Sequence, residues 1–516
     1  MSTQSTPRSS QLRILLGIPL LALLLAYCSS PETTVVDREP EAGTTGSGDT
    51  VQTEVSGDDF KHLRVGTIYP IHSLDPLFAS NPAELRTLQA LYETLVKYNE
   101  HGELVPALAS DWEIGEDSLQ YTFQLRSNVY YHDSRIFANG IGRRVVADDV
   151  VHAFYRMARA GVPGHAASMF SGIKGFDPYL AEQHQVYLEK LRKINSIDGI
   201  RAVDENTVRF ILKRKDPLFL NKLASPFASI YPIEATRNSE NHLHTNPVGS
   251  GPYQFTEMAG DSSLVLERFD NYVYKTSPSG SDLSSPPLDR IDINYFSNQR
   301  QLLRYLSNDD IDLIHEMSPQ LKNMVLDGQG NAKDLKFNYQ VHETNARPVI
   351  SIRRNTQSDE VLNTDQATYL DRAIQSDLFN LLTPVKNEIQ TLYHAQPTAT
   401  TGNPPELPSR IYGSFSDDPV VNTYYRALAT EVNSNSDSKF SVLPIRVPVS
   451  DTQLYGDHLF QLRPEKAMID TTVAASDLIH TFSLQQYAIS DGAVEGVGYN
   501  ELPWWVNYGK LNLTIN

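Results

Sequence analysis

Cysteine is almost missing from this 516-residue chain: Cys28 stands alone, so no disulfide can form within one molecule. Stability has to come from buried apolar surface, and the length leaves room for two or three packed units. Clustered positive charge is missing too. The formal net charge is −18 and no long Lys/Arg run occurs. That excludes nucleic acid as a partner, because phosphate recognition needs such clusters. Also absent are HExxH, a P-loop, the Rossmann glycine signature and CxxC, and Gly249-Ser250-Gly251 lacks the spacing of a nucleophile elbow. The chain therefore reads as a non-enzyme with no cofactor. His242 and His244, two apart, read as solvated loop residues. Asp309, Asp310 and Asp312 read as a solvated turn, since the glycine and terminal Glu of a calcium loop are missing.

What is present begins at the N-terminus. Arg8 and Arg13 precede an apolar run over 14–26. A bilayer span takes about 20 residues, so this run reads as the n- and h-regions of a signal peptide. Cys28 follows at once. Residues 29–60 then carry eight acidic residues against Arg38 and few large apolar groups. Such a stretch cannot offset its ordering entropy and is expected to be a flexible acidic tether.

The folded body is expected from Lys61. Leu63, Val65 and Thr67 alternate with polar neighbours, which predicts a strand ended by Pro70. Leu88, Leu91, Tyr92 and Leu95 predict a helix over 84–97, and Val150, Phe154, Met157 and Ala158 a second over 147–159. Period-two runs predict strands at 121–125, 207–213, 263–267, 289–295 and 439–447, with helices at 299–306, 368–382 and 420–432. Strands and helices alternating over this length indicate an α/β fold in more than one lobe.

Short motifs then follow in a particular order. Ser73-Leu74-Asp75-Pro76 and Leu91-Tyr92-Glu93-Thr94-Leu95-Val96 come first, then the stretch from Leu104 to Glu113 that includes Trp112. Tyr121-Thr122-Phe123-Gln124-Leu125-Arg126, Ala147-Asp148-Asp149-Val150-Val151 and Val203-Asp204-Glu205-Asn206-Thr207-Val208 come next, and Asn246-Pro247-Val248-Gly249-Ser250-Gly251-Pro252-Tyr253 closes the series. The succession resembles bacterial extracellular solute-binding protein family 5, the oligopeptide- and dipeptide-binding components of ABC importers. Leu25-Ala26-Tyr27-Cys28 resembles the lipobox of bacterial lipoproteins, with Tyr27 where those have Gly, Ala or Ser. Val146 stands where the family has a helix-capping Thr. Trp112 reads as a core anchor, and Gly249 and Gly251 as a tight bend before the strand at Tyr253.

The resemblance implies a two-lobed periplasmic-binding-protein (Venus-flytrap) fold with an extra subdomain inserted in the first lobe. The expected divisions are 1–28 signal peptide and 29–60 tether, with 61–85, 201–290 and 481–516 forming the first lobe. The inserted subdomain is expected at 86–200 and the second lobe at 291–480. It also implies a monomer, lipid-anchored through Cys28 in the periplasm or at the cell surface. Such a protein would capture short peptides for ABC permease subunits. A non-peptide solute, or presentation of the ligand to a sensor, are the alternatives.

Ligands of open α/β sheets collect at the carboxyl ends of the strands. This selects Tyr69, Ile71 and His72 after the first strand. The resemblance adds Phe170 near the cleft. Asn345, Arg347 and Arg353 are candidate polar partners from the second lobe, since an Arg suits a ligand carboxylate. The Asp-Pro-containing aromatic loop by which family members hold a peptide's amino group is not found, and no motif selects among Asp451, Asp457 and Asp470.

Overall fold

The strand expected after Lys61 forms with Leu63 and Val65 fully buried, and it becomes the middle of a seven-stranded sheet. In this computed structural model the described residues are 60–237, 242–260, 262–272, 286–317, 324–327, 339–343, 349–354, 363, 366–367, 389–394, 410–416, 441–447, 460–465, 478–484, 487–499, 506, 508 and 511–514. The seven strands are β1 (His62–Thr67), β2 (Tyr253–Ala259), β3 (Ser263–Arg268), β4 (Arg290–Tyr295), β5 (Leu313–Ile314), β6 (Tyr339–Glu343) and β7 (Tyr487–Asp491), in the order β6-β7-β5-β1-β4-β3-β2. β1 runs parallel to β4 and β5, and the remaining pairs are antiparallel.

Parallel strands of one sheet need a crossover connection. The helix Gln299–Ser307 supplies it between β4 and β5, with Leu302 and Leu306 buried. The expected split at 291 therefore moves. β4 straddles it, β5 and β6 lie beyond it, and all three belong to the first lobe's sheet, because β4 and β5 flank β1 directly and β6 pairs with β7. The second sheet is built from Val349–Arg354, Ile389–His394, Arg410–Ser416, Ser441–Val447, Phe460–Glu465 and Leu478–Leu484. The chain thus passes between the two sheets twice, after Glu343 and after Leu484. The helices expected over 368–382 and 420–432 lie outside the described residues.

The inserted subdomain has its own antiparallel sheet, ordered Ala109–Ile114, Gln120–Leu125, Thr207–Ile211, Ile200–Asp204. Its last two strands were expected in the first lobe after residue 200. Pairing of Thr207–Ile211 with Gln120–Leu125 keeps them in the insert. The long helix Ala147–Met157 packs on this sheet, where the Phe154 ring meets Phe210 at 5.0 Å and Phe170 at 4.9 Å. Trp112 is half-buried against Phe123 at the side of this cluster rather than at its centre.

That helix starts at Val146 without a side-chain cap. Asp149 secures the helix start from the other direction, its carboxylate accepting the Val146 N–H at 3.1 Å while Arg143 donates to both of its oxygens at 2.7 and 2.8 Å. A carboxylate in the first turn also suits the helix dipole. The same guanidinium reaches Glu234 at 2.6 and 2.9 Å, which ties the helix start to the chain beyond the insert.

The first helix of the body, Pro82–Leu91, is shorter than the apolar stripe suggested. Tyr92 turns to extended backbone (φ −124°, ψ 157°) and its hydroxyl donates to the buried Leu74 carbonyl at 3.1 Å. The Leu91 carbonyl is taken by the Gly251 N–H at 2.9 Å instead of by a further helical turn. Leu95 is buried, but from the segment beyond the helix.

Candidate ligand-binding site

β1, β4 and β5 run parallel and deliver three chain segments to one end of the first lobe's sheet. After β1 comes the loop 68–81, which begins with the residues expected to meet ligand. Glu84, buried in the first turn of the helix Pro82–Leu91, shapes that loop. Its carboxylate accepts the N–H groups of His72 at 2.8 Å, Ser73 at 3.1 Å and Ser80 at 2.6 Å. Burial raises the Glu84 carboxyl above its usual range, and the N–H groups of Ser80, His72 and Ser73 pull against that shift. Asn81 caps the helix by accepting from the Glu84 N–H at 3.0 Å, and its amide donates to the Pro70 carbonyl at 2.8 Å.

A second carboxylate fixes the far side of the loop. Asp75 accepts two hydrogen bonds from Arg156 at 2.9 and 2.5 Å, and both side chains are fully buried. Burial alone would push Arg156 towards losing its proton. Tyr231 and Asp75 more than offset this, and the guanidinium stays charged. Asp75 also accepts the Leu77 N–H at 3.0 Å. The loop after β1 is therefore rigid, and it is tied to the insert through the helix that carries Arg156. It holds His72 exposed, while Tyr69 and Ile71 point inward at 3% exposure each.

The end of β5 is polar and buried. His315 Nδ1 lies 2.9 Å from the Tyr499 hydroxyl, and Glu316 pairs with Arg86 of the helix Pro82–Leu91. Burial, aided by Arg86, pushes His315 well below its usual range, so its ring is neutral. The next residue, Met317, donates its N–H to the Tyr487 carbonyl at 2.9 Å, just where the chain returns from the second sheet. Loop, ion pair and crossing meet at one end of the sheet.

The chain bends at Gly251 and Pro252 into the strand that starts at Tyr253, as expected, and Gly249 and Gly251 also permit a close approach to a helix. Neither adopts a left-handed φ. A β-carbon at Gly249 would sit 1.9 Å from the Leu91 carbonyl oxygen, and one at Gly251 would sit 2.4 Å from the Ala90 oxygen. The segment lies directly against the end of the helix Pro82–Leu91. His132 clamps it: Nε2 donates to the Gly251 carbonyl at 3.0 Å, and Nδ1 accepts the Gly249 N–H at 3.4 Å. Burial pushes this imidazole down to about 4 from its ordinary 6.5. The unfolded chain thus takes up a proton near pH 6.5 that the folded chain refuses until about pH 4. The His132 contribution to stability should be full above pH 6.5 and fall by about 1.4 kcal/mol per pH unit towards pH 4, roughly 3 kcal/mol in all, with buried His315 adding a loss in the same direction. Urea melts from pH 7.5 to 4.5 should show this loss, with a slope shallower by one proton in His132→Asn. An unchanged slope would refute the clamp.

The other expected residues are distributed as follows. Phe170 is 1% exposed and belongs to the insert's aromatic core, where it packs on Phe154. Arg353 lies on the strand Val349–Arg354. Cys28, Asn345, Arg347, Asp451, Asp457 and Asp470 are outside the described residues. His242 and His244 fall on the one-turn helix His242–Thr245, not a strand or open loop, and His244 Nδ1 lies 2.8 Å from Ser73 Oγ. The Asp309–Asp312 turn is an ion-pair site, since Arg64 bonds Asp312 through both its backbone and side chain and also reaches Asp309. A cavity of about 740 Å³ opens on the first lobe beside Asn294, Phe296, Arg304, Tyr305 and Asp310, and contains none of the residues expected to touch ligand.

Sequence reasoning missed Glu84, Arg86, Asp75 and Arg156. One signal was available for Glu84: it sits four residues before Leu88, in phase with the apolar stripe, where a charge has to be satisfied internally.

A family model described as bacterial extracellular solute-binding proteins, family 5 Middle, matches residues 103–357. That stretch, just under half of the chain, belongs to this family. The chain is 34% identical over 202 residues to the dipeptide-binding protein of Escherichia coli (strain K12), covering 38% of this chain and 35% of that protein. It is 32% identical over 190 residues to heme-binding protein A of Haemophilus influenzae, covering 36% and 32%. The matched stretch is thus about a third of the length of these curated relatives. The likeness of fold reaches much further. The solved ABC transporter-associated periplasmic binding protein DppA from Helicobacter pylori, in complex with the peptide STSA, superposes with a TM-score of 0.67 at 16% identity. That match covers 88% of this chain and 99% of the other. The fold is the two-lobed α/β plan of the periplasmic peptide-binding proteins.

Proposed function

We propose that this chain is an extracytoplasmic substrate-binding lipoprotein of an ABC importer, capturing short peptides between its lobes and delivering them to a permease. The observation that carries the reading is the rigid loop after β1, held by Glu84 and the Asp75–Arg156 pair at the same end of the sheet as the return crossing at Tyr487. A rigid wall beside a double crossing suits closure around a ligand, and a transporter can sense closure only if the ligand binds the closed form better. His72 offers an exposed side chain on that wall. Asn345 and Arg347 fall in sequence between β6 and Val349–Arg354, and with Arg353 they supply amide and guanidinium groups suited to a peptide carboxylate. Acylation of Cys28, with the acidic stretch 29–60 as tether, would hold the protein at the membrane.

Native mass spectrometry of the protein, purified without refolding, tests this. Co-purifying peptides released on denaturation are the expected result. A ligand-free protein that a peptide library leaves unstabilised in a thermal melt would sink the peptide assignment. A second reading, a non-peptide solute in the same cleft, is favoured by the comparable match to a relative named for heme binding. A bound non-peptide mass in the same spectrum would establish it.

A further inference from the structure

The insert carries a surface that neither its fold nor peptide capture uses. Between the helix Phe176–Gln185 and the strand Ile200–Asp204, the segment 186–193 reads Val-Tyr-Leu-Glu-Lys-Leu-Arg-Lys. Tyr187 is 93% exposed, Leu191 59% and Leu188 50%. Three large apolar side chains within five residues are therefore in water. Their presentation is built rather than loose. The Leu191 N–H donates to the Leu188 carbonyl at 2.9 Å, Arg192 Nε to the Val186 carbonyl at 3.0 Å, and the Lys193 N–H to Glu182 at 2.5 Å. Glu189–Leu191 is one 3₁₀ turn, entered from Leu188 in extended backbone, and it holds the two leucines three residues apart on a fixed backbone.

Charge narrows the occupant. The segment holds Lys190, Arg192 and Lys193 against Glu189 alone, in a protein whose formal net charge is −18. Aromatic and leucine side chains interleaved with cations suit an anionic lipid surface, where the apolar groups enter the headgroup boundary and the cations pair with phosphate.

We propose that residues 186–193 dock the insert onto an anionic bilayer surface, with Tyr187, Leu188 and Leu191 entering the interface and Lys190 and Lys193 meeting the headgroups. The anchored reading given above matters here only for what brings the bilayer near. Docking at this patch fixes which side of the insert faces the membrane.

Acylation of Cys28 leaves the protein without a free thiol, so Leu188→Cys gives one site for an environment-sensitive dye. The protein would be placed on vesicles of phosphatidylcholine with or without phosphatidylglycerol. The expected result is a blue shift and protection from aqueous quencher on the anionic vesicles alone, removed at about 1 M salt where screening is short-ranged. A dye at Ile141→Cys, an exposed position on a different segment, should not shift. Lys190→Gln with Lys193→Gln should lower the docked fraction on the order of tenfold. Equal emission at residue 188 on both vesicle types, or an equal shift at residue 141, overturns the proposal. Labelling stoichiometry reports on Cys28 separately. Two dyes per chain would mean that the anchor reading is wrong, and the shift is then read in a Cys28→Ser background.

Discussion

Gly249→Ala is expected to destabilise the protein by more than about 4 kcal/mol, at the upper end for a single substitution. The added carbon would lie 1.9 Å from the Leu91 oxygen and 2.8 Å from the Leu91 carbonyl carbon. Those are backbone atoms at a helix end, so no side-chain rotation relieves the overlap. Either the helix Pro82–Leu91 moves, which disturbs Glu84 and the loop it organises, or the segment lifts away and breaks its bonds to His132. Ser250→Ala, one residue on, adds no atom and is expected to stay within about 1 kcal/mol of the parent. Urea midpoints of the two variants give the comparison. A Gly249→Ala protein that unfolds at the parent midpoint would show that the close approach is absent in solution.

Arg156→Met is expected to cost about 3–5 kcal/mol, because it leaves the fully buried Asp75 carboxylate without its cation. Asp75→Leu alone should cost a comparable amount by stranding the guanidinium. The double variant removes both charges and should be much less damaged than the two losses added together, with a coupling of about 2 kcal/mol or more. Additive losses in the denaturant midpoints would rule the pair out as a unit. A functional consequence follows, because the pair ties the loop after β1 to the insert. The double variant should fold and yet bind ligand more weakly, having lost the rigidity of that wall.

Much of the first lobe is legible because its signals are local. Alternation at Leu63 and Val65, the stripe Val150–Phe154–Met157 and the run at 290–295 each report on a few adjacent residues, and each forms the element expected. Features set by distant partners are not legible in that way. The helix expected to reach residue 97 stops at Leu91 because Gly251, far along the chain, takes the Leu91 carbonyl. The insert extends to Ile211 because the strand at 207 pairs back to 120–125, and a period-two pattern reveals a strand without naming its neighbour. The site divides the same way. The end of β1 was found by a rule about sheets, which places Tyr69, Ile71 and His72 beside the loop. The carboxylates that hold that loop were not found, because Asp75 meets Arg156 across 81 positions of sequence. Val146 lacks a capping side chain, yet Asp149 three residues later accepts the Val146 N–H, and that local contact is readable in hindsight.

The position of β7 bears on how the protein reaches its folded state. Among the described residues, β7 closes the free side of β5 and is the sole neighbour of β6, yet it lies beyond the second sheet's strands in sequence. A chain emerging from its amino end therefore exposes an open strand edge at β5 until almost its last residues have appeared. Open edges invite pairing with other chains, and pairings this distant form slowly. The first lobe is the last to be finished although it is the first to be made. A protein truncated before Tyr487 loses two strands at once.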